Sequence, residues 1–430
     1  MKKLIFRALA LYRRVSLLLI RASGRTPGEH HAARVVSGRT WDDFCDELKA
    51  AGTAIGMSGT AKDPRSQAEG YRYLTRLLRG GLEAFLEFGD PAHPELRRTV
   101  HETVKIGADN PDNAYYNAAI SGEHSYRIRG TRGTVRRLSF HTQRGSYGST
   151  GGLQPAGKIS ADELTLDEEG RFEIIASVEP PPGRETTEPA GRAAAHTADE
   201  ATGDRDGDPV RTPDWLPMTP DTTLFMVRQT FGNRDTETPA EVYIERLGEA
   251  PPPQPLTPER LENALTQVAA FVAGTSTVFT RWALGFKKHA NELPEFDEKT
   301  STNAGGDPTI TYYHSYWRLK PGEALVIETP IPACDMWNFQ LNNFWMESLD
   351  YRYHRVHVNQ DTATLNPDGT VTIVVAAEDP GHPNWLTTTG LRAGTMCFRW
   401  IRAQEEPPPP RTRVATIAEL RSGVENGRPR

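Results

Sequence analysis

The chain has 430 residues, more than one hydrophobic core normally supports, so we expect two or more domains. Its net charge of -6 argues against nucleic acid as the main partner, because phosphate binding needs clustered cations. The three cysteines form no CxxC pair, which fits a reducing compartment and provides no zinc signature. We therefore expect a cytoplasmic protein.

The N-terminal segment, residues 1–26, is basic and amphipathic. Lys3, Arg7, Arg14 and Arg21 repeat at about seven-residue spacing and share one helical stripe. Such a helix could lie on an anionic membrane surface, which would place the protein at the inner membrane face. We favour the alternative, a terminal helix that packs on its own domain, and no apolar run reaches the ~20 residues of a membrane span.

A helical region is predicted from 27 to 108. Thr40, which is followed three residues later by an acid, marks one helix start. Asp63 and Pro64 mark a second, because a capping acceptor precedes proline at the first helical position. Apolar residues then keep a helical spacing as far as Gly89.

One β module occurs twice, in residues 109–250 and 309–405. Each copy has a strand, a glycine turn, an alternating strand, a Pro-Asp/Asn-Trp-Leu motif and a closing strand with an arginine. The paired residues are Gly170 and Gly369, Asp214 and Asn384, Trp215 and Trp385, and Arg228 and Arg399. Because these features recur in the same order, we predict an internal duplication.

The predicted fold class is mainly β with helical additions (α+β). Short strands bounded by glycine-rich turns are typical of antiparallel sandwiches, so we expect two tandem antiparallel β-sandwich modules of jelly-roll-like type.

Three further segments complete the predicted organisation. Residues 181–212 contain almost no large apolar side chain and predict a disordered insertion in the first module. A helical insert, 251–308, is expected to begin at the Thr257 cap and to hold Trp282 in a second helical segment. Residues 406–430 are predicted to be a polar tail.

Several of these motifs together carry a family resemblance. They are Asp368-Gly369 with the apolar strand after it, Pro383-Asn384-Trp385-Leu386, the strand of Arg399, and Asn110-Pro111-Asp112-Asn113 in the first module. Over roughly residues 30–405 the chain resembles the bacterial family called domain of unknown function 1214. The resemblance implies a β-sandwich or jelly-roll fold and no secure activity. The chain departs from the family in its long insertion and at Thr387-Thr388, where members often have proline.

The duplicated motif is predicted to be structural, because two copies seldom keep two active sites. Its tryptophan could close one end of a sandwich core and donate its N–H to a backbone carbonyl. Its Asp or Asn would stabilise the preceding turn, and the arginines would pair with acids at a sandwich rim. This structural set is Asp214, Trp215, Arg228, Asn384, Trp385 and Arg399.

The second module has the denser aromatic and polar set, which a ligand pocket could use. In a strand, Trp337 and Phe339 would face one way and Asn338 and Gln340 the other. We favour a solvent-facing role for the polar side, with a cavity face as the alternative. The candidate ligand-binding residues are Tyr313, Trp337, Asn338, Trp345 and Tyr353.

A metal site is a further hypothesis. His354 and His357 are three positions apart, so they would converge only across a turn or bulge. Jelly-roll metal sites use several histidines and a carboxylate, which His314, Asp335, His354 and His357 could provide as ligands or as acid–base groups. The three histidines are the candidate metal ligands. No P-loop or Gly-x-Gly-x-x-Gly motif predicts a nucleotide cofactor, so the cofactor is unknown and a divalent metal stays an option.

Three functions remain open from the sequence. We narrowly favour binding of a small, largely apolar or aromatic ligand in or between the two modules. The alternatives are an enzyme with a His/Asp site in the second module, which a metal could assist, and a structural or scaffolding protein. The sequence does not identify the ligand or the oligomeric state.

Overall fold

The computed structural model of the protein describes residues 26–145, 152–182 and 212–425. The predicted basic helix, residues 1–26, and the predicted disordered insertion, residues 181–212, lie outside the described residues except for residues 26, 181, 182 and 212. No helix within the described ranges is long and apolar enough to cross a membrane.

The N-terminal region is helical as far as Glu87, but the rest of the predicted helical region, 27–108, contains the strand Arg97–Val100. Its helices are α1 Pro27–Val36, α2 Arg39–Ala51, α3 Thr53–Gly56 and α4 Pro64–Leu82, which continues into a π-helical turn, Glu83–Glu87. Asp63 caps α4 by accepting a hydrogen bond from the N–H of Ser66 at 2.9 Å, so this predicted start is confirmed. The start at Thr40 is wrong. Gly38, with φ of 79°, turns the chain into α2, and Thr40 lies buried inside the helix.

The insert between the modules is dominated by one long helix, α5 Pro258–Phe286. Thr257 caps it as predicted, accepting from the N–H of Arg260 at 3.2 Å. The predicted second helical segment is instead the continuation of α5, because its buried face packs without interruption against the N-terminal helices. The short helix α6 Glu298–Thr302 follows, and α7 Ile417–Glu425 ends the described chain.

Seventeen strands within the described ranges form four sheets. The first nine are β1 Arg97–Val100, β2 Asn113–Ala119, β3 Tyr126–Thr131, β4 Arg137–Gly145, β5 Leu153–Ser160, β6 Arg171–Ser177, β7 Asp214–Pro217, β8 Thr222–Thr230 and β9 Glu241–Arg246. The others are β10 Ile310–Arg318, β11 Glu323–Thr329, β12 Met336–Leu341, β13 His357–Asn359, β14 Val371–Ala376, β15 Trp385–Thr387, β16 Ala393–Ile401 and β17 Arg411–Thr416.

The strand order confirms the duplication. The first module has sheets β1-β2-β8-β4-β5 and β7-β6-β3-β9, and the second has β10-β16-β12-β13 and β15-β14-β11-β17. Apart from the extra β1, each strand of the first module corresponds to the strand eight places later. Pairing is antiparallel except between β6 and β7 and between β14 and β15, which are parallel.

Each pair of sheets encloses its own apolar core, as the sandwich prediction requires. Phe140 and Val227 of one sheet meet Ile128 and Ile174 of the other in the first module. The segment predicted as a polar tail differs from expectation, because residues 411–416 form β17. Most residues of this strand are exposed because it lies at a sheet edge, so its composition resembles that of a tail.

Candidate ligand-binding cavity

A cavity of about 610 Å³ lies between the two modules. It is bounded by the outer face of the five-stranded sheet, by β10 and β16 of the second module, and by the C-terminal end of α4 and α5. Volumes of this size are typical of small-molecule sites. The cavity therefore joins elements that are far apart in the sequence.

One side of the cavity is an aromatic wall formed by Phe85, Phe271, Phe279 and Trp282. The rings of Phe85 and Phe271 are 5.8 Å apart, and those of Phe279 and Trp282 are 5.4 Å apart. Three of these residues come from α5, where spacings of eight and three residues keep side chains on one helical face. This wall can bury an apolar molecule.

The sheet faces contribute two matching tyrosine–arginine pairs. Tyr115 on β2 stands opposite Arg228 on β8, and Tyr312 on β10 stands opposite Arg399 on β16. In both pairs the guanidinium carbon lies 5.8 Å from the ring centroid. All four side chains line the cavity. The duplication thus places the same pair on both sides of the module interface.

The loops that precede β2 and β10 hold the tyrosine hydroxyls in place. The N–H of Asn110 donates to the hydroxyl of Tyr115 at 3.4 Å, and the N–H of Asp307 donates to that of Tyr312 at the same distance. Burial raises the pKa of Tyr312 to about 12, so its hydroxyl stays protonated at neutral pH. A backbone N–H therefore holds each hydroxyl in place, and that of Tyr312 is neutral.

These crossing loops, residues 107–112 and 304–309, also join the modules. Asp307, in the loop that leads into the second module, accepts from Arg228 and Lys158 of the first module, both at 3.1 Å. Asn110 of the first module accepts from Asn338 of the second at 2.6 Å. Burial alone would raise the pKa of Asp307, but the two adjacent cations hold it well below its usual range.

The two arginines differ in their charge partners. Arg228 forms an ion pair with Asp307, although at the module interface and not at a sandwich rim. Arg399 is only 5% exposed, and no carboxylate lies within 4 Å of it in the part of the chain that the structure describes. It donates instead to the Oε1 of Gln340 at 2.5 Å and to the carbonyl of Ala108 at 2.6 Å. The predicted acid partner of Arg399 is therefore absent among the described residues.

Several residues that line the cavity have buried side-chain atoms without hydrogen-bond partners among the described residues. They include Oε1 of Gln143 and Nδ1 of His314, with Oγ1 of Thr99 and Oδ1 of Asn117. Burial, and secondarily the charge of Arg399, lowers the pKa of His314 to about 3, so its ring is neutral. The ring stacks between Phe286 and Tyr312, with centroids 5.5 and 5.7 Å away. Such atoms are available to hydrogen-bond a bound molecule.

The four candidate catalytic residues are not brought together. His314 lines the cavity, whereas Asp335 is exposed and pairs with Arg137 and Arg402. His354 is exposed, and His357 lies 3.2 Å from Asp112. No group of three or more His, Cys, Asp or Glu side chains within the described ranges could hold a metal ion. The four residues lie on different strands and loops, so they do not form one catalytic or metal site.

The five candidate ligand-binding residues also lie outside the cavity lining. Tyr313 and Trp337 belong to the core of the second sandwich. Trp345 packs against the helices and donates its indole N–H to the carbonyl of Ser66 at 2.7 Å. Asn338 is buried at the module interface, and Tyr353 is 76% exposed.

The polar side of β12 corrects one expectation. Asn338 and Gln340 are predicted to face solvent, but both are fully buried. Asn338 donates to Asp112 at 2.9 Å, and Gln340 donates to the carbonyl of Asp109 at 2.9 Å. This face is polar because it meets the polar crossing loop of the first module.

The tryptophan of the duplicated motif makes the same kind of hydrogen bond in both modules. Trp215 donates its indole N–H to the carbonyl of Ser177 at 3.2 Å, and Trp385 donates to Ala376 at 3.1 Å, as predicted. The preceding polar residue does not stabilise its own turn. Asp214 accepts from the N–H of Thr165, and Asn384 accepts from that of Thr364, so each holds the segment before the glycine turn.

The sequence did not identify most of the residues that line the cavity. The echo of Tyr115 in Tyr312 was visible, but nothing local places either tyrosine beside Trp282. Their proximity depends on how α5 and the two modules pack. The signals available in the sequence were this echo and the arginine that follows the duplicated motif in each module.

Comparisons with known proteins agree with the fold. Residues 320–405 match the family model described as protein of unknown function (DUF1214). A crystal structure of an uncharacterised protein from Burkholderia cenocepacia is 44% identical and covers 90% of this chain and 99% of its own, with a TM-score of 0.81. The VPA0106 protein from Vibrio parahaemolyticus is 12% identical and covers 81% of this chain and 98% of its own; its TM-score of 0.44 supports no argument. No curated protein matches the chain.

Proposed function

The chain belongs to the family of proteins of unknown function called DUF1214, and we propose that it binds a small, largely apolar ligand between its two β modules. The observation that carries the proposal is the cavity of about 610 Å³ at the module interface. A pocket of this kind, apolar with a few placed polar groups, is the usual form of a small-molecule site.

The chemistry of the cavity supports the proposal. The aromatic wall offers an apolar surface, and the tyrosine–arginine pairs offer hydrogen-bond donors on the opposite sheets. Gln143 and His314 add buried polar atoms that have no protein partner among the described residues. Since buried polar groups in proteins are nearly always hydrogen-bonded, a ligand or water is expected to complete them.

A cavity-filling variant tests the proposal. Met226 lines the cavity from β8, between core residues Phe225 and Val227. In Met226→Trp the larger ring would occupy the space of the ligand, and we expect affinity for the neutral apolar dye Nile red to fall at least about tenfold. The measurement is a fluorescence titration with each protein first checked for an unchanged fold by circular dichroism.

The matched control places the same indole elsewhere. Val414 on β17 is 44% exposed, so Val414→Trp should bind Nile red like the parent protein. Saturable binding that weakens only in Met226→Trp would support the proposal. Binding that is unchanged in a folded Met226→Trp protein, or absent from the parent protein, would contradict it.

A further inference from the structure

We propose that the ligand of this cavity is an amphipathic carboxylate whose anionic group binds Arg399 and whose apolar body lies along the aromatic wall. The inference rests on the proposed function and adds the chemical class of the ligand. It is carried by the charge balance of the cavity and by the hydrogen-bond donors that surround Arg399.

Arg399 carries a charge that the protein itself leaves without a direct counter-ion among the described residues. Its guanidinium is buried, and its hydrogen-bond partners Asn338, Gln340 and Ala108 are neutral. Asp112 does not contact Arg399 directly, but accepts a hydrogen bond from Asn338, which does. Its carboxylate also contacts His357 and Asn359. A buried cation is costly unless it is paired, so an anion at this position would offset that cost.

The other charged side chains that line the cavity, apart from Asp109, form ion pairs within the protein. These pairs are Glu83 with Arg79, Arg97 with Glu95, Arg137 with Asp335, and Arg228 with Asp307. Asp109 is held by the N–H and hydroxyl of Ser348, at 3.0 and 2.7 Å. Arg399 is therefore the cavity cation that can accept a new anionic partner.

Neutral donors complete the proposed anion site. The hydroxyls of Tyr115 and Tyr312 each accept a backbone N–H, and that of Tyr115 also accepts from the side-chain amide of Asn113 at 2.9 Å. Neither hydroxyl donates a hydrogen bond to another described residue. Nδ1 of His314 lies in the same lining without a protein partner. Hydrogen bonds from neutral and cationic donors favour a carboxylate, because an anion accepts several of them at once.

The anion site and the aromatic wall are continuous. Arg399 lies over Tyr312 at 5.8 Å, Tyr312 stacks on His314 at 5.7 Å, and the His314 ring is 6.4 Å from that of Trp282. Trp282 in turn contacts Phe279 at 5.4 Å. A ligand with a carboxylate at one end and an apolar body at the other matches this sequence of contacts.

The test compares ligands that differ only at the head group. Octanoate and 1-octanol, and 3-phenylpropanoate and 3-phenylpropanol, would be titrated against the full chain by calorimetry at pH 7.5. We expect each carboxylate to bind roughly tenfold or more tightly than its alcohol, as a charge-assisted hydrogen bond allows.

Two variants assign the preference to the site. Arg399→Gln should abolish the preference for the carboxylates and keep binding of the alcohols. Tyr312→Phe removes one hydroxyl from an otherwise unchanged ring, and should weaken octanoate severalfold without affecting 1-octanol. The control is Arg402→Gln, which removes an exposed arginine paired with Asp162 and should keep the preference. Tyr312→Phe keeps the test valid if Arg399→Gln does not fold.

The outcomes separate this inference from the function on which it rests. A carboxylate preference that both site variants reduce supports the inference. Equal affinity for octanoate and 1-octanol, or a preference that both site variants retain, overturns it while binding in the cavity stands. Absence of binding by all four probes, together with no binding of Nile red, overturns both.

Discussion

His314 illustrates how burial sets the charge of a single side chain. The imidazole is 6% exposed and packs among Phe286, Phe296 and Tyr312. Its Nε2 lies 3.7 Å from the Sγ of Cys397, and burial raises the pKa of that thiol to about 11. A neutral imidazole beside a protonated thiol is a polar lining and not an activated nucleophile.

The depressed pKa of His314 predicts a pH-dependent stability. Unfolding exposes an imidazole that binds a proton below about pH 6.5, while the folded ring stays neutral down to about pH 3. The unfolded state therefore gains protons as pH falls through this window, and the folded state loses stability. By pH 5 the contribution reaches up to about 2 kcal/mol.

The change His314→Phe keeps the ring stacking and removes the titration. We expect the free energy of unfolding in urea to decline less between pH 7.5 and pH 5 than in the parent protein. An equally steep decline in both proteins would show that this histidine does not titrate as described.

At the scale of elements, the sequence revealed the repeat and the role of its tryptophans. A partly buried indole needs an acceptor, and the parallel strand next to it supplies one in both modules. The partners of Asn384 were not predictable, because Thr364 is 20 residues away and is brought close only by the hairpin. The residue preferences of the Asn384 segment predict a turn there, but they do not predict which distant residues pack against that turn.

Asn384 is predicted to be a stability determinant of the second module. It is 1% exposed and exchanges hydrogen bonds with the N–H and carbonyl of Thr364 and with the carbonyl of Thr372. Asn384→Ala leaves these backbone groups without their partner and should lower the free energy of unfolding by roughly 2–4 kcal/mol. Glu378→Ala, at an exposed site nearby, should change it by less than about 0.5 kcal/mol. Similar urea midpoints for the two variants would refute this role.

The glycine turns test the equivalence of the two modules. Gly170 and Gly369 have φ of 75° and 81°, and an added Cβ meets no atom closer than 4.0 Å at either site. Alanine at each should therefore cost only backbone strain, about 1–2 kcal/mol. Gly28→Ala, within α1, should be neutral or slightly stabilising. Thermal unfolding would measure all three, and a large cost at only one turn would argue against equivalence.

At the scale of the whole molecule, the sequence predicted two sandwiches but not how they meet. The interface joins residues more than a hundred positions apart, such as Asn110 with Asn338 and Asp307 with Lys158. Neither periodicity nor motif spacing carries that information. This is why the prediction that the polar face of β12 meets solvent is wrong. Polarity indicates only that a face does not belong to an apolar core, and it does not tell solvent from a polar interface.

Asp307 is predicted to hold the modules together. Asp307→Asn would leave Arg228 and Lys158 without their shared carboxylate, and the loss should approach 3–5 kcal/mol because Arg228 is largely buried. Asp335→Asn removes a carboxylate that is itself exposed to solvent, and should cost at most about 1 kcal/mol. Urea unfolding of both variants measures the difference, and equal costs would mean that the crossing loop does not secure the interface.

The claim that the cavity between the modules is a ligand site is tested most directly by locating a ligand in it. A crystal grown with 3-(4-bromophenyl)propanoate would give an anomalous peak for the bromine. The account predicts one peak beside the aromatic wall, with the carboxylate density at Arg399. A peak confined to another surface, or a cavity that stays without ligand density at saturating probe, would contradict it.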